Sequence, residues 1–128
     1  MGQANINRKN ILVVEDEPII AKVCTRTLSA EGFQVEIVDN GEAALNVLKG
    51  KKEFDLCLID IRTPKMNGTE LYHHLEKNYP EMVNKVIFTT GDVLNANIKA
   101  FLEKSNRPYL DKPFTPDELR AIARKVLG

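Results

Sequence analysis

At 128 residues, 43% hydrophobic and 28% charged, the chain can build one domain-sized core and is too apolar for intrinsic disorder. Its 18 Lys and Arg are matched by 18 Asp and Glu, so no basic surplus exists to neutralise a phosphate backbone, and nucleic-acid binding by this domain is not expected. No apolar run approaches the roughly 18 residues of a membrane span, there is no secretory core, and Ile6 stands where N-myristoylation of Gly2 would want Ser or Thr. A cytoplasmic protein is expected, with no membrane attachment and with proteins or small ligands as partners.

In chain order, residues 1–9 are polar and read as a disordered end or a cloning remainder; residues 10–128 read as one domain. Strands are predicted at 10–14, 34–38, 55–60, 85–90 and 108–111. The first, third and fourth are almost continuously apolar, as in strands covered on both faces. Val35-Glu36-Ile37 alternates instead, which suits a sheet edge. The first helix takes Pro18 in its first turn, carries Ile20, Val23, Cys24, Thr27 and Leu28 on one face, and stops at Gly32. The second starts at Asp39-Asn40-Gly41 and ends at Gly50. The third runs from Asn67-Gly68 to a break at Tyr79-Pro80, and the fourth covers about 94–104. Thr115-Pro116-Asp117-Glu118 opens the fifth with a Thr cap, Pro at the first helical position and Glu three residues after the cap. Strand–helix alternation repeated in this way predicts an α/β fold, a doubly wound parallel sheet with right-handed crossovers. Cys24 and Cys57 lie in apolar patterns without metal or redox spacing and are expected to be free buried thiols.

The strand ends carry the chemistry. Glu15-Asp16 follow the first strand, Asp60 closes the third, Thr90 closes the fourth ahead of Gly91, and Lys112 follows the fifth ahead of Pro113-Phe114. In an open α/β sheet these ends meet at one edge, where ligands bind. Mg²⁺ needs only one or two carboxylates besides water and phosphate oxygens, which Glu15 or Asp16 together with Asp60 can supply. Asp60 is the candidate nucleophile, since a carboxylate can attack phosphorus to give an acyl phosphate. Lys112 would neutralise charge as a compact cation, and the Thr90 hydroxyl can donate to a phosphoryl oxygen. Each has a plainer reading. Asp16 can cap the next helix, Lys112 can be a surface strand-end lysine, Thr90 can be an ordinary strand residue, and Tyr109 can be a half-buried aromatic rather than a switch.

Six segments in order, Ile11 to Glu17, Asn40 to Leu45, Asp55 to Asp60, Pro64 to Gly68, Phe88 to Gly91 and Leu110 to Phe114, closely resemble the receiver domain of bacterial two-component response regulators. The resemblance covers roughly residues 9–127. It implies a flavodoxin-like (βα)5 fold with strand order 2-1-3-4-5 and an Asp60 phosphorylated by the phosphohistidine of a histidine kinase or phosphotransfer protein. It further implies Mg²⁺ held by Glu15, Asp16, Asp60 and the backbone carbonyl of Arg62, and Lys112 on the phosphoryl group beside a cis Lys112-Pro113 bond. Thr90 and Tyr109 would act as switch residues that remodel the face of the fourth helix, fifth strand and fifth helix. That face would serve a downstream protein, an attached output domain or a homodimer. Thr90-Gly91-Asp92 with Lys112-Pro113-Phe114 is similar to receivers of hybrid histidine kinases. Thr63 and Asn67 depart from the commonest family residues, and Arg62 occupies a position that influences phosphoryl lifetime. With no output domain in view, the chain reads as a stand-alone receiver or a piece of a longer regulator.

Alternatives fare worse on the same residues. A haloacid-dehalogenase-type phosphohydrolase wants a second Asp where Arg62 stands. A flavodoxin-type FMN site would be repelled by Glu15-Asp16-Glu17. His73-His74 could accept phosphate only from a helix of the wrong kind of domain. A receiver working by protein contact alone is the nearest competitor, against which the intact Glu15, Asp16, Asp60, Thr90 and Lys112 argue.

Overall fold

In a computed structural model describing residues 8–128, the apolar runs form one parallel sheet in the order β2-β1-β3-β4-β5. The strands are β1 (Asn10–Val14), β2 (Gln34–Val38), β3 (Leu56–Asp60), β4 (Val86–Thr90) and β5 (Tyr109–Asp111). Between and after them lie α1 (Pro18–Ala30), α2 (Gly41–Leu48), α3 (Gly68–Asn78), α4 (Ala96–Ser105) and α5 (Pro116–Leu127). This is the flavodoxin-like α/β arrangement expected, with β2 at one edge. Of the N-terminal stretch 1–9, residues 1–7 lie outside the described residues. Lys9 already meets the sheet, its carbonyl accepting from the Gln34 N–H at 2.9 Å.

Strand alternation divides the core between two faces. Leu12, Val14, Cys57, Ile59 and Phe88 point to one side, packed with Ala44, Leu71, Tyr72, Leu75 and Leu102 from α2, α3 and α4. Ile11, Val13, Leu56, Leu58 and Ile87 point to the other, with Cys24, Leu28, Leu119 and Ala123 from α1 and α5. Tyr72, Phe88 and Phe101 meet edge to face at 5.2–5.8 Å. Both cysteines are free, and burial pushes each thiol up to about 12, so neither is a reactive thiolate near neutral pH.

Boundaries differ from the sequence reading for local reasons. Asp55 stays out of β3 because its carboxylate accepts from the Asn10 N–H at 2.8 Å. Lys85 belongs to an unanticipated 3-10 helix, Pro80–Lys85, that starts at the expected Tyr79-Pro80 break. Pro108 has no N–H for the ladder, although its carbonyl accepts from Phe88. Asn95 caps α4 by accepting from the Asn97 and Ile98 N–H groups, leaving Leu94 outside the helix and 93% exposed. The capping boxes at Asn67/Glu70 and Thr115/Glu118 are both formed.

Strand order reverses between β1 and β3, which places the cleft of a doubly wound sheet at their carboxyl ends. One close approach shapes that rim. A Cβ on Gly41 would lie 2.1 Å from the Met66 carbonyl oxygen, to which the Gly41 N–H donates at 3.1 Å. Gly41→Ala is therefore expected to cost about 1–3 kcal/mol through overpacking, read as a lowered urea midpoint. An unchanged midpoint would mean that the β3–α3 loop yields freely.

Candidate functional site

Asp60 ends a strand buried at every position and is itself only 4% exposed. Two bonds orient its carboxylate. Oδ1 accepts from the Arg62 N–H at 3.2 Å, and Oδ2 accepts from Lys112 Nζ at 3.2 Å. The loop behind it is tied to the sheet by Ile61 N–H to the Thr89 carbonyl (3.0 Å) and by Gly68 N–H to the Ile61 carbonyl (2.8 Å). Gly68 is required there, because a Cβ would stand 2.7 Å from Ile61 Cα.

Glu15 leaves β1 buried, its N–H donating to the Val38 carbonyl at 2.9 Å, and its carboxylate accepts from the Glu17 N–H at 3.1 Å. Asp16 is exposed and does not cap α1. Glu17 is the residue at that cap, without a side-chain bond, and Pro18 opens the helix. Glu15, Asp16 and Asp60 each bring a carboxylate oxygen within 4.8 Å of the others, a set of hard oxygen donors suited to Mg²⁺. Burial raises the Glu15 carboxyl to about 7, partly opposed by the Glu17 N–H and Lys112 and reinforced by the Asp60 charge.

Lys112 reaches the cluster from the end of β5, held by its N–H to the Thr90 carbonyl at 2.8 Å and followed by a cis bond to Pro113. Its ammonium touches Glu15 (3.0 Å), Glu17 (3.0 Å) and Asp60 (3.2 Å). Burial works against its charge, but the hydrogen bonds to Glu17 and Glu15 and the Asp60 charge outweigh that and raise its pKa. It is a permanent cation among carboxylates and not a solvated surface lysine.

Thr90 is fully buried beside this group, its hydroxyl accepting from the Asp92 N–H at 3.1 Å. Tyr109 is not drawn in. It is 46% exposed and lines a groove of about 900 Å³ with Leu94, Leu102, Arg107 and Val126. The cavity over Asp60, about 420 Å³, is lined by Asp16, Glu17, Asp60, Arg62, Gly91, Asp92 and Lys112. Glu17 and Asp92 escaped the sequence reading as site residues. The first appeared there as the end of a resembling segment and as part of an anionic loop, and the second as part of the Thr90-Gly91-Asp92 run, neither with a role at the site. Thr63 is buried and ties the loop, its hydroxyl donating to the Met66 carbonyl at 3.1 Å. His73 and His74 are exposed on α3, with His73 beside Glu76 at 3.1 Å, as solvated helix residues would be.

Comparisons with known proteins bear on the family and the fold. The chain is 31% identical over 94% of its length to probable histidine kinase 4 of Oryza sativa subsp. japonica, and 32% identical over 94% to the DNA-binding response regulator MtrA of Mycolicibacterium smegmatis. It spans 14% of the first and 51% of the second. Among solved structures, a CheY-like response regulator receiver domain protein from Methanospirillum hungatei JF-1 is 33% identical with a TM-score of 0.81, covering 94% of each chain. The receiver domain of a sensor histidine kinase from Pseudomonas aeruginosa PAO1, solved with a magnesium ion coordinated in its active-site cleft, is 26% identical with a TM-score of 0.83, covering 94% of this chain and 98% of that one. Among the described residues no helix is long and apolar enough to cross a membrane. Residues 11–124 match the family model described as the response regulator receiver domain, and with that fold and relatives this similar the chain belongs to the receiver family of two-component systems.

Proposed function

We propose that this domain is a phosphorylation-controlled switch in which Asp60 is the phosphoryl acceptor. The observation that carries the reading is one buried carboxylate, Asp60, that shares a 4.8 Å cluster with Glu15 and Asp16 and lies 3.2 Å from the Lys112 ammonium. An Asp60 oxygen would form the new O–P bond as the N–P bond of a donor phosphohistidine breaks, its electron pair returning to the imidazole. Water attack on phosphorus would later break that O–P bond, releasing inorganic phosphate and regenerating the carboxylate. Taking and losing its own phosphoryl group is the whole of its chemistry, so it is not a turnover enzyme.

Glu15, Asp16, Asp60 and the Arg62 backbone carbonyl would hold Mg²⁺, which when bound supplies charge neutralisation at the phosphoryl oxygens. Lys112 adds a fixed cation at Asp60 Oδ2, 3.2 Å away. The Thr90 hydroxyl would turn to the phosphoryl group, and Tyr109, now exposed, would move inward. That movement would remodel the α4-β5-α5 face for a downstream protein, an attached output domain or a second copy. A histidine kinase or phosphotransfer protein is the donor, and the cytoplasm is the compartment proposed.

The deciding experiment is intact-mass analysis after incubation with acetyl phosphate, with Mg²⁺ and then with EDTA. One phosphoryl adduct that requires Mg²⁺ is expected. No adduct, together with no binding of beryllofluoride (a stand-in for the phosphoryl group on Asp60), would favour a module that acts by protein contact alone.

Glu15 makes metal binding pH-dependent. Its carboxyl is raised from 4.5 to about 7 in the folded chain. The folded form therefore binds the proton more tightly, and that stability is present below 4.5 and lost as pH rises through 7. Mg²⁺ needs the deprotonated form. Mg²⁺ should thus raise the melting temperature more at pH 8 than at pH 6, as thermal melts would show. An equal shift at both would remove Glu15 from the ligand set.

A further inference from the structure

The cavity over Asp60 has two cations on its wall, Lys112 and Arg62, and they are held differently. Lys112 is largely covered, its side chain 11% exposed, and pairs with the carboxylates of Glu15 and Asp60. Arg62 reaches instead across the mouth, where its guanidinium pairs with Asp92 from the β4–α4 loop. Both side chains of that pair are well exposed, 60% and 41%, so the pair is weak and easily exchanged.

Both ends of the pair are wired into the site through their own backbones. The Arg62 N–H donates to Asp60 Oδ1 at 3.2 Å, and the Asp92 N–H donates to Thr90 Oγ1 at 3.1 Å. A continuous path thus runs from the acceptor carboxylate through Arg62 and Asp92 to the buried Thr90 hydroxyl. A phosphoryl group on Asp60 would bring several anionic oxygens into the same cavity. For a planar guanidinium fork these are better partners than one partly solvated carboxylate.

We propose that the Arg62–Asp92 pair is a latch on Thr90. Asp92 occupies the Arg62 guanidinium until a phosphoryl group on Asp60 takes it, and the loss of that pair loosens Asp92 and releases the hydroxyl it holds. Asp92 is then a positioning residue that competes with the phosphoryl group, and Arg62 is the element that changes partner. The idea rests on Asp60 being the phosphoryl acceptor, and its test separates the two.

The test titrates beryllofluoride in saturating Mg²⁺ and follows amide NMR signals of the wild-type chain, Asp92→Asn, Arg62→Gln and the double variant. Asp92→Asn should bind about two- to fivefold more tightly, since its competitor for Arg62 is gone, and Arg62→Gln should bind more weakly by a similar factor. The double variant should match Arg62→Gln alone, because Asp92 acts through Arg62. Without beryllofluoride, the Thr90 and Asp92 amides of Arg62→Gln should already move toward their bound positions, which a merely structural pair would not produce. Unchanged or weaker binding by Asp92→Asn overturns the latch, as does an Asp92→Asn effect that persists without Arg62. Wild-type binding with such variants removes the latch alone. Failure of the wild-type chain to bind removes the acceptor assignment with it.

Discussion

Asp60→Asn is expected to abolish the acid-labile, hydroxylamine-sensitive phosphorylation of this chain while leaving it folded. The substitution keeps the shape of the side chain, and the amide oxygen can still accept from the Arg62 N–H that now meets Oδ1 at 3.2 Å. What it removes is the nucleophilic oxygen pair and one negative charge. That charge lies in the cluster with Glu15 and Asp16 and helps to raise the Glu15 carboxyl. Its loss relieves like-charge repulsion, so in the absence of Mg²⁺ the melting temperature should hold or rise. Loss of the phosphoryl adduct with a preserved melting temperature would separate chemistry from unfolding. Phosphorylation of the variant at the wild-type rate would end the assignment of Asp60.

The same residues show how far a sequence can be read. β3 and Asp60 were legible because a continuously apolar run that ends in a carboxylate sets a charge at the rim of a covered strand, and the run is buried throughout. Glu15 and Lys112 followed because parallel strands bring their carboxyl ends to one edge, which needs topology and no side-chain detail. Glu17 and Asp92 were not legible as site residues. Each is an acid in a loop, and what places it at the cavity is a cation delivered by a different segment, Lys112 for one and Arg62 for the other. The 3-10 helix Pro80–Lys85 was hidden for a similar reason. Its one buried apolar residue, Met82, gives no periodicity, and only packing under the sheet shows where it belongs. Tyr109 shows the opposite limit, since alternation along a three-residue strand could place it on the sheet but not decide whether it packs inward or stays 46% exposed.

Lys112→Ala is expected to tighten Mg²⁺ binding and to disconnect phosphorylation from the rest of the domain. The ammonium lies 3.0 Å from Glu15 and 3.2 Å from Asp60, two of the three carboxylates proposed to hold the metal. In the metal-free chain it neutralises them, and with Mg²⁺ bound it competes for them and repels the ion. Its removal should increase Mg²⁺ affinity by roughly tenfold, given the strength of a charge contact at this separation in a partly buried site. The same removal leaves Glu15 and Asp60 buried without their counter-charge, so the metal-free melting temperature should fall. Millimolar Mg²⁺ should restore it, because binding to the folded state alone stabilises that state by mass action. A second readout separates charge balance from switching. Lys112 is tied to Thr90 through its backbone N–H at 2.8 Å, so it connects β5 to the strand that carries the buried hydroxyl. Without its ammonium the proposed phosphoryl group would have no contact from the end of β5, and beryllofluoride should bind without shifting the amides of α4, β5 and α5. Weaker Mg²⁺ binding in Lys112→Ala would show the ammonium organising the carboxylates rather than competing for them. Normal amide shifts on beryllofluoride binding would place the coupling on Thr90 alone.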